Sequence, residues 1–255
     1  MSASGSVKSN VESGVATITF FHPQSNSLPG ELLRSLAAEI SRQGMNDDAQ
    51  VIVLRSEGEK AFCAGASFDE LMSISSFDEG RKFFSGFAMV INSMRKAPKF
   101  IIARVQGKAV GGGVGIAAAA DYTIASAYAD VKLSELAVGI GPFVVGPAVE
   151  RKMGKSAFSS LAINATEWKT AAWAQENGLY AEVHPDCAAL DDAVLRLAKK
   201  LSVSSPAAMR ELKDIFWQGT TDWDTLLMER AEVSGTLVLS DYTRNAIATF
   251  KQGTR

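Results

Sequence analysis

The sequence contains few of the residues that build disulfide frameworks, metal sites and charge-relay triads. Its 255 residues include two cysteines, Cys63 and Cys187, and two histidines, His22 and His184. So few of these side chains give neither a disulfide framework nor a cluster of metal ligands. The motif G-x-S-x-G is also absent, so no serine–histidine–aspartate set is indicated. We expect both histidines to be surface or turn residues on loops, and Cys63 to be a small buried residue.

The chain also lacks a strong charge of either sign and a long uninterrupted apolar run. Its net charge is −2 and its pI is about 5.8, which provides no general attraction for nucleic acid. Arg104, Gln106 and Lys108 interrupt the most apolar segment, so no membrane span is expected. The N-terminus, MSASGSVKSN, has no apolar signal core, so export is not indicated. These observations favour a soluble, cytoplasmic protein of a reducing compartment.

Strand-like and helix-like segments alternate through the first half of the chain. Hydrophobic residues make up 47% of the sequence, enough to bury a full core in one large domain or a domain plus a subdomain. Strands are predicted at 15–21, 51–55 and 100–105, and helices at 30–42 and 77–95, an alternation typical of an α/β fold. Beyond Gly154 the pattern becomes helical, with helices predicted at 156–163, 168–176, 191–201, 206–217, 223–237 and 242–252.

The segment FIIARVQGKAVGGGVGIAAAAD, residues 100–121, joins a strand pattern to three glycines and a run of helix-forming residues. Unpaired N–H groups at such a helix start can stabilise an oxyanion. A second turn of small residues, Ala64-Gly65-Ala66, offers further backbone donors. Close packing of a helix on a sheet explains the glycines equally well. Residues 113–118 loosely fit the glycine pattern of dinucleotide-binding proteins. The next strand pattern follows too closely, however, to leave room for the helix of a strand–helix–strand unit.

Glu135 stands out among the carboxylates because apolar and turn-forming residues flank it. Burial there would raise its pKa and make it a proton shuttle. The sequence leaves open the alternative of a water-exposed acid at a helix start. Asp69 and Glu70 follow the first small-residue turn and favour the first turn of a helix.

Four motifs, taken together, resemble the crotonase or enoyl-CoA hydratase/isomerase family. They are HPQSNSL at 22–28, AFCAGAS at 61–67, VQGKAVGGG at 105–113 followed by Asp121, and Ser134-Glu135 with Gly139. Their order and spacing match over about residues 11–200. The sequence around Glu135 is also similar to a branch described as methylglutaconyl-CoA hydratase-like. The resemblance implies an α/β spiral core of ββα units at 1–200 and a helical region at 201–255 that builds homotrimers, often paired into homohexamers.

The resemblance also implies an acyl-CoA thioester substrate and no separate cofactor or metal. The family's oxyanion hole would fall on the backbone N–H groups of Ala64 and Gly112. Together with Gly112, the loop Ala64-Gly65-Ala66-Ser67 would line the CoA site, although the family usually has Asp at position 67.

The family's two catalytic glutamates would fall on Gly115 and Glu135, so only the second is present. A single acid/base at Glu135 favours isomerisation of a carbon–carbon double bond, because hydration needs a group that activates water and another that handles the α-proton. Hydration of enoyl-CoA or 3-methylglutaconyl-CoA remains an alternative. A second alternative, from another class, is a non-catalytic acyl-CoA-binding subunit.

Large apolar side chains outside these motifs have two explanations each. Those of the C-terminal helices either close the core or form a subunit interface; they are Phe216, Trp217, Trp223, Leu226, Leu227, Leu237 and Leu239. Phe83, Phe84, Phe87 and Phe143 either shape an acyl pocket or pack in the core, and core packing is the simpler expectation.

Overall fold

Two sheets organise the computed structural model, which describes residues 5–253. The larger sheet contains, in spatial order, β1 (Ser6–Glu12), β2 (Val15–Phe21), β3 (Val51–Ser56), β5 (Ile101–Val105), β7 (Tyr122–Ser126) and β9 (Glu182–His184). β1 is antiparallel to β2, and all other neighbours are parallel. The smaller sheet is parallel and contains β4 (Ala61–Cys63), β6 (Lys108–Val110) and β8 (Val131–Lys132).

Ten α-helices surround the sheets within residues 5–253. They are α1 (Gly30–Gly44), α2 (Phe68–Ser73), α3 (Phe77–Lys96), α4 (Gly112–Ala119), α5 (Gly146–Ile163), α6 (Ala171–Glu176), α7 (Cys187–Ser202), α8 (Pro206–Phe216), α9 (Trp223–Leu237) and α10 (Asp241–Gly253). A 3₁₀ turn spans Leu136–Val138. α5 kinks at Gly154, whose φ of 77° favours glycine. In this part of the chain, every helix is too short or too polar to cross a bilayer.

The chain winds as a spiral, because each turn adds one strand to each sheet. The pairs β3 and β4, β5 and β6, and β7 and β8 follow one another in sequence, and β3-β5-β7 and β4-β6-β8 are neighbours in their sheets. Helices follow β4 and β6 and cover the sheets. This is the repeated ββα arrangement that the motifs implied. Loops that follow equivalent strands in successive turns therefore lie side by side.

Several elements differ from the sequence prediction, among them the three strands of the smaller sheet, which are too short to show a period and were not predicted. β1 lies in the polar N-terminal segment, where residues of one face remain exposed and the other face is only half-buried, so its alternation is weak. β9 lies between the helices predicted at 168–176 and 191–201, where a polar turn was expected; three residues are too few for a clear period. α5 begins at Gly146, before the kink that was taken as the change of character.

The C-terminal helices contribute to the same core as the sheets. Trp223 and Leu227 of α9 are buried in the main hydrophobic cluster. α9 crosses α3 where two glycines meet: a Cβ on Gly80 would lie 2.9 Å from the Cα of Gly235. Phe216 of α8 is instead half exposed. The large apolar residues of this region are thus divided between core and surface.

A buried ion pair fixes α8 to the larger sheet. The Nζ of Lys213 lies 2.9 Å from Oδ2 of Asp121 and also donates to two backbone carbonyls. Oδ1 of Asp121 accepts from the indole N–H of Trp217 at 3.0 Å. Removing one member would leave a buried charge without its partner, which typically costs about 3–5 kcal/mol. The Asp121 of the third motif therefore has a structural role.

Candidate active site

The two turns of small residues lie side by side at one edge of the smaller sheet. They follow β4 and β6, which are parallel neighbours, so their carboxyl ends meet at the same edge. A Cβ on Gly65 would lie 2.9 Å from the carbonyl oxygen of Val110 and 3.5 Å from the amide nitrogen of Gly112. Gly65 also has a φ of +85°, which favours glycine. Glycine at position 65 is therefore what permits the two loops to approach.

The glycine triplet is closely packed on every side. A Cβ on Gly112 would overlap the ring of Phe87 at 2.1 Å, and one on Gly113 would lie 2.6 Å from the carbonyl oxygen of Cys63. Gly111 precedes the helix with a φ of 52° and faces the carboxylate of Glu135, with 3.0 Å between its would-be Cβ and Oε1. The packing explanation of the glycines therefore holds, and it also brings the helix start against a carboxylate.

The structure corrects the role expected of Ala64. Its amide already donates to the carbonyl oxygen of Ser25 at 3.1 Å. The amide of the next residue, Gly65, donates to the Sγ of Cys63 at 3.4 Å. Both N–H groups are therefore engaged within the protein, and Ala64 has no free amide to offer a bound group.

Two amides of these loops are free and belong to residues that border the cavity described below, those of Ala66 and Gly112. Neither amide has a hydrogen-bond acceptor in the part of the chain that the structure describes. Leu28 pairs with the residues on either side of Ala66. The Leu28 amide donates to the carbonyl oxygen of Gly65 at 2.8 Å, and the Leu28 carbonyl oxygen accepts from the amide of Ser67 at 3.3 Å, so neither bond uses the Ala66 amide. Gly112 is the first residue of α4, where amides have no intrahelical partner. Ala66 could not be distinguished from Ala64 by sequence because Leu28 is distant in the chain.

Ser67 caps a helix and does not line the cavity described below. Its Oγ accepts from the amide of Glu70 at 3.4 Å at the start of α2, and the residue is buried. Serine and aspartate are both favoured N-caps, which explains how Ser67 can replace the family's usual aspartate. The carboxylate of Glu70 in turn accepts from the amide of Gly30 at 2.7 Å. Asp69 and Glu70 lie in the first turn of α2, as predicted.

Glu135 has a buried carboxylate, although its residue as a whole is partly exposed. It directly precedes the 3₁₀ turn, so the helix-start position was predicted correctly, but the exposed alternative is wrong. Oε2 is buried without a hydrogen-bond partner in the described structure. Burial raises the pKa of Glu135 from 4.5 to about 7, against a smaller lowering by its own backbone N–H. The pKa of Glu135 thus lies much closer to neutral pH than that of an exposed glutamate.

Helix α10 supports the loop that carries Glu135. Gly139 ends the 3₁₀ turn with a φ of 79°, and the amide of Ile140 returns to the carbonyl of Glu135 at 3.0 Å. A Cβ on Gly139 would lie 2.5 Å from the ring of Tyr242 and 2.6 Å from Oγ1 of Thr243. Both residues belong to α10. The loop therefore has a fixed backing on the side away from the sheet.

Position 115 leaves no room for a side chain. A Cβ on Gly115 would lie 2.5 Å from both Cβ and Cγ1 of Val145. Both residues are buried. Val145 therefore occupies the space into which a longer residue at position 115 would extend.

A cavity connects these groups. Ala64, Gly65, Ala66, Gly111 and Gly112 border it on one side, and Glu135 and Val145 on the other. Its remaining wall comes from α2, α3, the 138–144 loop and Ser234 of α9. Within the described residues, Glu135 is the only ionisable side chain of the wall.

The phenylalanines of α3 and the 138–144 loop are divided between wall and core. Phe84, Phe87 and Phe143 line the cavity, whereas Phe83 packs behind them with its ring 5.2 Å from that of Phe84. Core packing was the correct expectation for Phe83, Phe84 and Phe87, which all belong to the main buried cluster, and two of these rings also border the cavity.

The histidines and Cys63 lie outside this chemistry. His22 is buried in its turn, with Nδ1 3.1 Å from Oγ of Ser27, and burial lowers its pKa despite the opposing charge of Asp69. His184 lies in β9, 2.9 Å from Glu182. His22 is thus a turn residue, as expected, although it is buried, whereas His184 lies in a strand and is partly exposed; neither lines the cavity. Cys63 is fully buried with its pKa raised to about 12, as expected of a residue that is not a nucleophile.

Comparison with known proteins agrees with the architecture and the motifs. Residues 10–244 match the family described as enoyl-CoA hydratase/isomerase. YngF of Bacillus subtilis, named for that family, is 31% identical over 94% of this chain and 93% of its own. The short-chain-enoyl-CoA hydratase of Clostridium acetobutylicum is 29% identical over 94% and 92% of the two chains.

Further similarity comes from a human protein and a solved structure. Mitochondrial methylglutaconyl-CoA hydratase of Homo sapiens is 31% identical over 76% of this chain and 58% of its own length. An enoyl-CoA hydratase structure from Bacillus halodurans superposes with a TM-score of 0.87 at 22% identity, over 95% and 99% of the two chains. The family match extends over the sheets, the two turns of small residues and the Glu135 loop, and the chain belongs to the enoyl-CoA hydratase/isomerase family.

Proposed function

We propose that this family member isomerises a carbon–carbon double bond of an acyl-CoA thioester, from the 3-enoyl to the conjugated 2-enoyl position. One observation carries the proposal. A single ionisable side chain, Glu135, faces two free backbone donors, while Val145 fills the space beside Gly115. The site therefore offers one proton-transfer group and an oxyanion hole, but no second acid.

The oxyanion hole is formed by the amides of Ala66 and Gly112. Two donors from separate loops fix the position of the thioester oxygen, and their attraction increases as negative charge develops on it. The partial positive charge at the start of α4 adds to this effect. The small residues of both turns leave room for the thioester to reach the amides.

Glu135 transfers the proton. Its carboxylate removes a proton from C2, and the electron pair of that C–H bond forms a dienolate whose charge rests on the thioester oxygen. The protonated Glu135 then returns the proton to C4, so the double bond moves from C3–C4 to C2–C3. No atom is gained or lost, and no cofactor besides the CoA of the substrate is needed. A pKa of about 7 suits a group that must both accept and return a proton.

Hydration is the second candidate, because two of the relatives above are named as hydratases. Adding water requires that water be activated while the α-proton is handled. With Gly115 facing Val145, the wall supplies one such group and not two. The geometry thus favours isomerisation, and the relatives' names favour hydration.

Product analysis separates these reactions. The enzyme is incubated with 3-butenoyl-CoA, crotonyl-CoA and 3-methylglutaconyl-CoA, and the products are identified by mass and absorbance. Isomerisation leaves the mass of 3-butenoyl-CoA unchanged and creates conjugated absorbance. A product heavier by one water would instead establish hydration. Acyl-CoA binding without any product would establish a non-catalytic binding subunit.

We also propose that the enzyme is a cytoplasmic homotrimer or homohexamer assembled through residues 201–255. Leu212, Ile215 and Phe216 of α8 are 45–55% exposed, and an apolar group of this kind supports an interface. Light scattering after gel filtration gives the mass. A monomer at micromolar concentration would contradict the assembly.

A further inference from the structure

We propose that the cavity selects short acyl groups that carry no charge at their far end, and that it discriminates against carboxylated acyl groups such as 3-methylglutaconyl. The inference rests on the proposed acyl-CoA function and adds the class of acyl group. It makes the aromatic and branched residues of the wall the specificity determinants.

The chemistry of the wall excludes a second carboxylate. Beyond the backbone donors, the wall is formed mainly by apolar side chains, including Phe84, Phe87, Phe143 and Val144. No Lys, Arg or His is among the described residues that line it. The hydroxyl of Ser234 already donates to the carbonyl of Arg230 at 3.2 Å. A bound carboxylate would lose its water and find no cation.

Glu135 increases this penalty whenever it is ionised. Its carboxylate lies in the same cavity and has one oxygen without a hydrogen-bond partner in the described structure. Two carboxylates in one small site repel each other, and neither has a compensating partner here. The charge of a carboxylated acyl group would thus disfavour ionisation of Glu135, and the proposed proton transfer requires the ionised carboxylate.

The size of the cavity limits chain length. Its interior is about 70 Å³, roughly half of the 150 Å³ apolar cavity that accommodates benzene. Because Ala66 and Gly112 line this space, it must hold the thioester group as well, and it therefore suits a short acyl chain.

Close packing keeps the far wall in place. A Cβ on Gly141 would lie 2.5 Å from the ring of Phe143, so this ring rests directly on the backbone. Behind Ser234, α9 meets α3 at Gly235 and Gly80 without intervening side chains. A wall packed backbone to backbone does not retreat by a change of rotamer.

Saturated acyl-CoA ligands test the inference without requiring turnover. Calorimetry compares CoA, butyryl-CoA, octanoyl-CoA and glutaryl-CoA with the wild-type enzyme. We expect butyryl-CoA to bind more tightly than CoA, and glutaryl-CoA to bind more weakly than butyryl-CoA by roughly 100-fold. Octanoyl-CoA should gain nothing over butyryl-CoA, whereas a wall that accepted its chain would give roughly fourfold per added methylene.

The outcomes separate this inference from the proposed reaction. Glutaryl-CoA binding as tightly as butyryl-CoA would overturn the charge selection, and tighter binding of octanoyl-CoA would overturn the length limit. If the ligands follow the expected order but 3-enoyl-CoA is not isomerised, the reaction is wrong and the acyl selection stands.

Phe143 provides the variants. Phe143→Arg places a cation at the wall and should reduce the ratio of the glutaryl-CoA and butyryl-CoA dissociation constants by about tenfold or more. Phe143→Ala should let octanoyl-CoA bind more tightly than it binds to the wild type. Phe77→Ala is the matched control, because Phe77 begins α3, is exposed and does not line the cavity. Unchanged ligand ratios in both folded Phe143 variants would contradict the role of this residue. The wild-type series decides the inference even if a variant does not fold.

Discussion

The two sides of the cavity differ in how they fill buried space: one contains a carboxylate and the other is packed with apolar groups. On one side, Glu135 brings a carboxylate into an apolar space and leaves one of its oxygens without a partner in the described structure. On the other, Gly115 has no side chain and Val145 fills the adjoining space. The first side holds a buried carboxylate at a cost in stability, and the second packs like an ordinary core. The family scaffold can thus have glycine at position 115 without leaving a void.

Glu135→Gln removes the proposed proton-transfer group, the one ionisable side chain among the described residues of the cavity wall, and should have the largest effect. The amide keeps the shape of the carboxylate but cannot accept a proton, so kcat for isomerisation should fall by about 10²–10⁴. Steady-state kinetics on 3-butenoyl-CoA measures the change. Glu150→Gln, on the exposed surface of α5, is the matched control and should keep its activity. Full turnover by Glu135→Gln would assign the chemistry to another group.

Gly115→Glu tests whether the space beside position 115 is filled by Val145, as the packing indicates. The new side chain would overlap Val145 and bring a buried charge, so unfolding free energy should fall by about 3 kcal/mol or more. Urea denaturation measures the loss. Combining it with Val145→Gly should restore part of the stability and create two acids facing one cavity. Hydration of crotonyl-CoA by the double variant would support the comparison; equal stability of the single variant and wild type would contradict it.

Some features of the fold and the site depend on residues that are neighbours in the sequence. The contacts that decide which backbone amides are free join residues that are far apart in the chain. The alternation of strand and helix patterns predicted the α/β class, because such patterns are read from neighbouring residues. The resemblance carried by the motifs implied the spiral and the family, and the residues around Glu135 marked it as a candidate. The engagement of Ala64 depends on Ser25, and the freedom of Ala66 depends on how Leu28 pairs around it. The closed side depends on Val145. Such pairings form only when distant segments are brought together, so the sequence did not show that the Ala64 amide is engaged while the Ala66 amide is free.

The pH dependence of stability tests the Glu135 side alone. Its pKa is 4.5 in the unfolded reference and about 7 in the fold. Between these values the folded state retains a proton that the unfolded state has released, so the contribution of Glu135 to stability is greatest below pH 4.5 and is lost as pH rises to 7. The loss amounts to about 3 kcal/mol at 1.36 kcal/mol per pH unit.

Urea unfolding at pH 5, 6, 7 and 8 measures this loss. Glu135→Gln has no such titration and should become more stable relative to wild type as pH rises, whereas Glu150→Gln should follow the wild type. Over the same range, wild-type kcat/KM should rise and level off above pH 7, because the ionised form is the base. Parallel stability curves for Glu135→Gln and wild type would show that the carboxylate is not buried in solution.

Gly139→Ala should produce the smallest of these effects and shows how the Glu135 side is held in place. Alanine must adopt a φ of 79° and meet Tyr242 and Thr243 of α10. The conformational strain alone costs about 1–2 kcal/mol. Because Gly139 ends the turn that follows Glu135, we expect kcat to fall while KM changes little. Gly58→Ala is the control, since Gly58 has a φ of 87° with nothing within 4 Å of its would-be Cβ. It should cost similar backbone strain and leave kcat unchanged. An equal loss of kcat in both variants would mean that general destabilisation, and not the contact between α10 and the Glu135 loop, governs the position of the carboxylate.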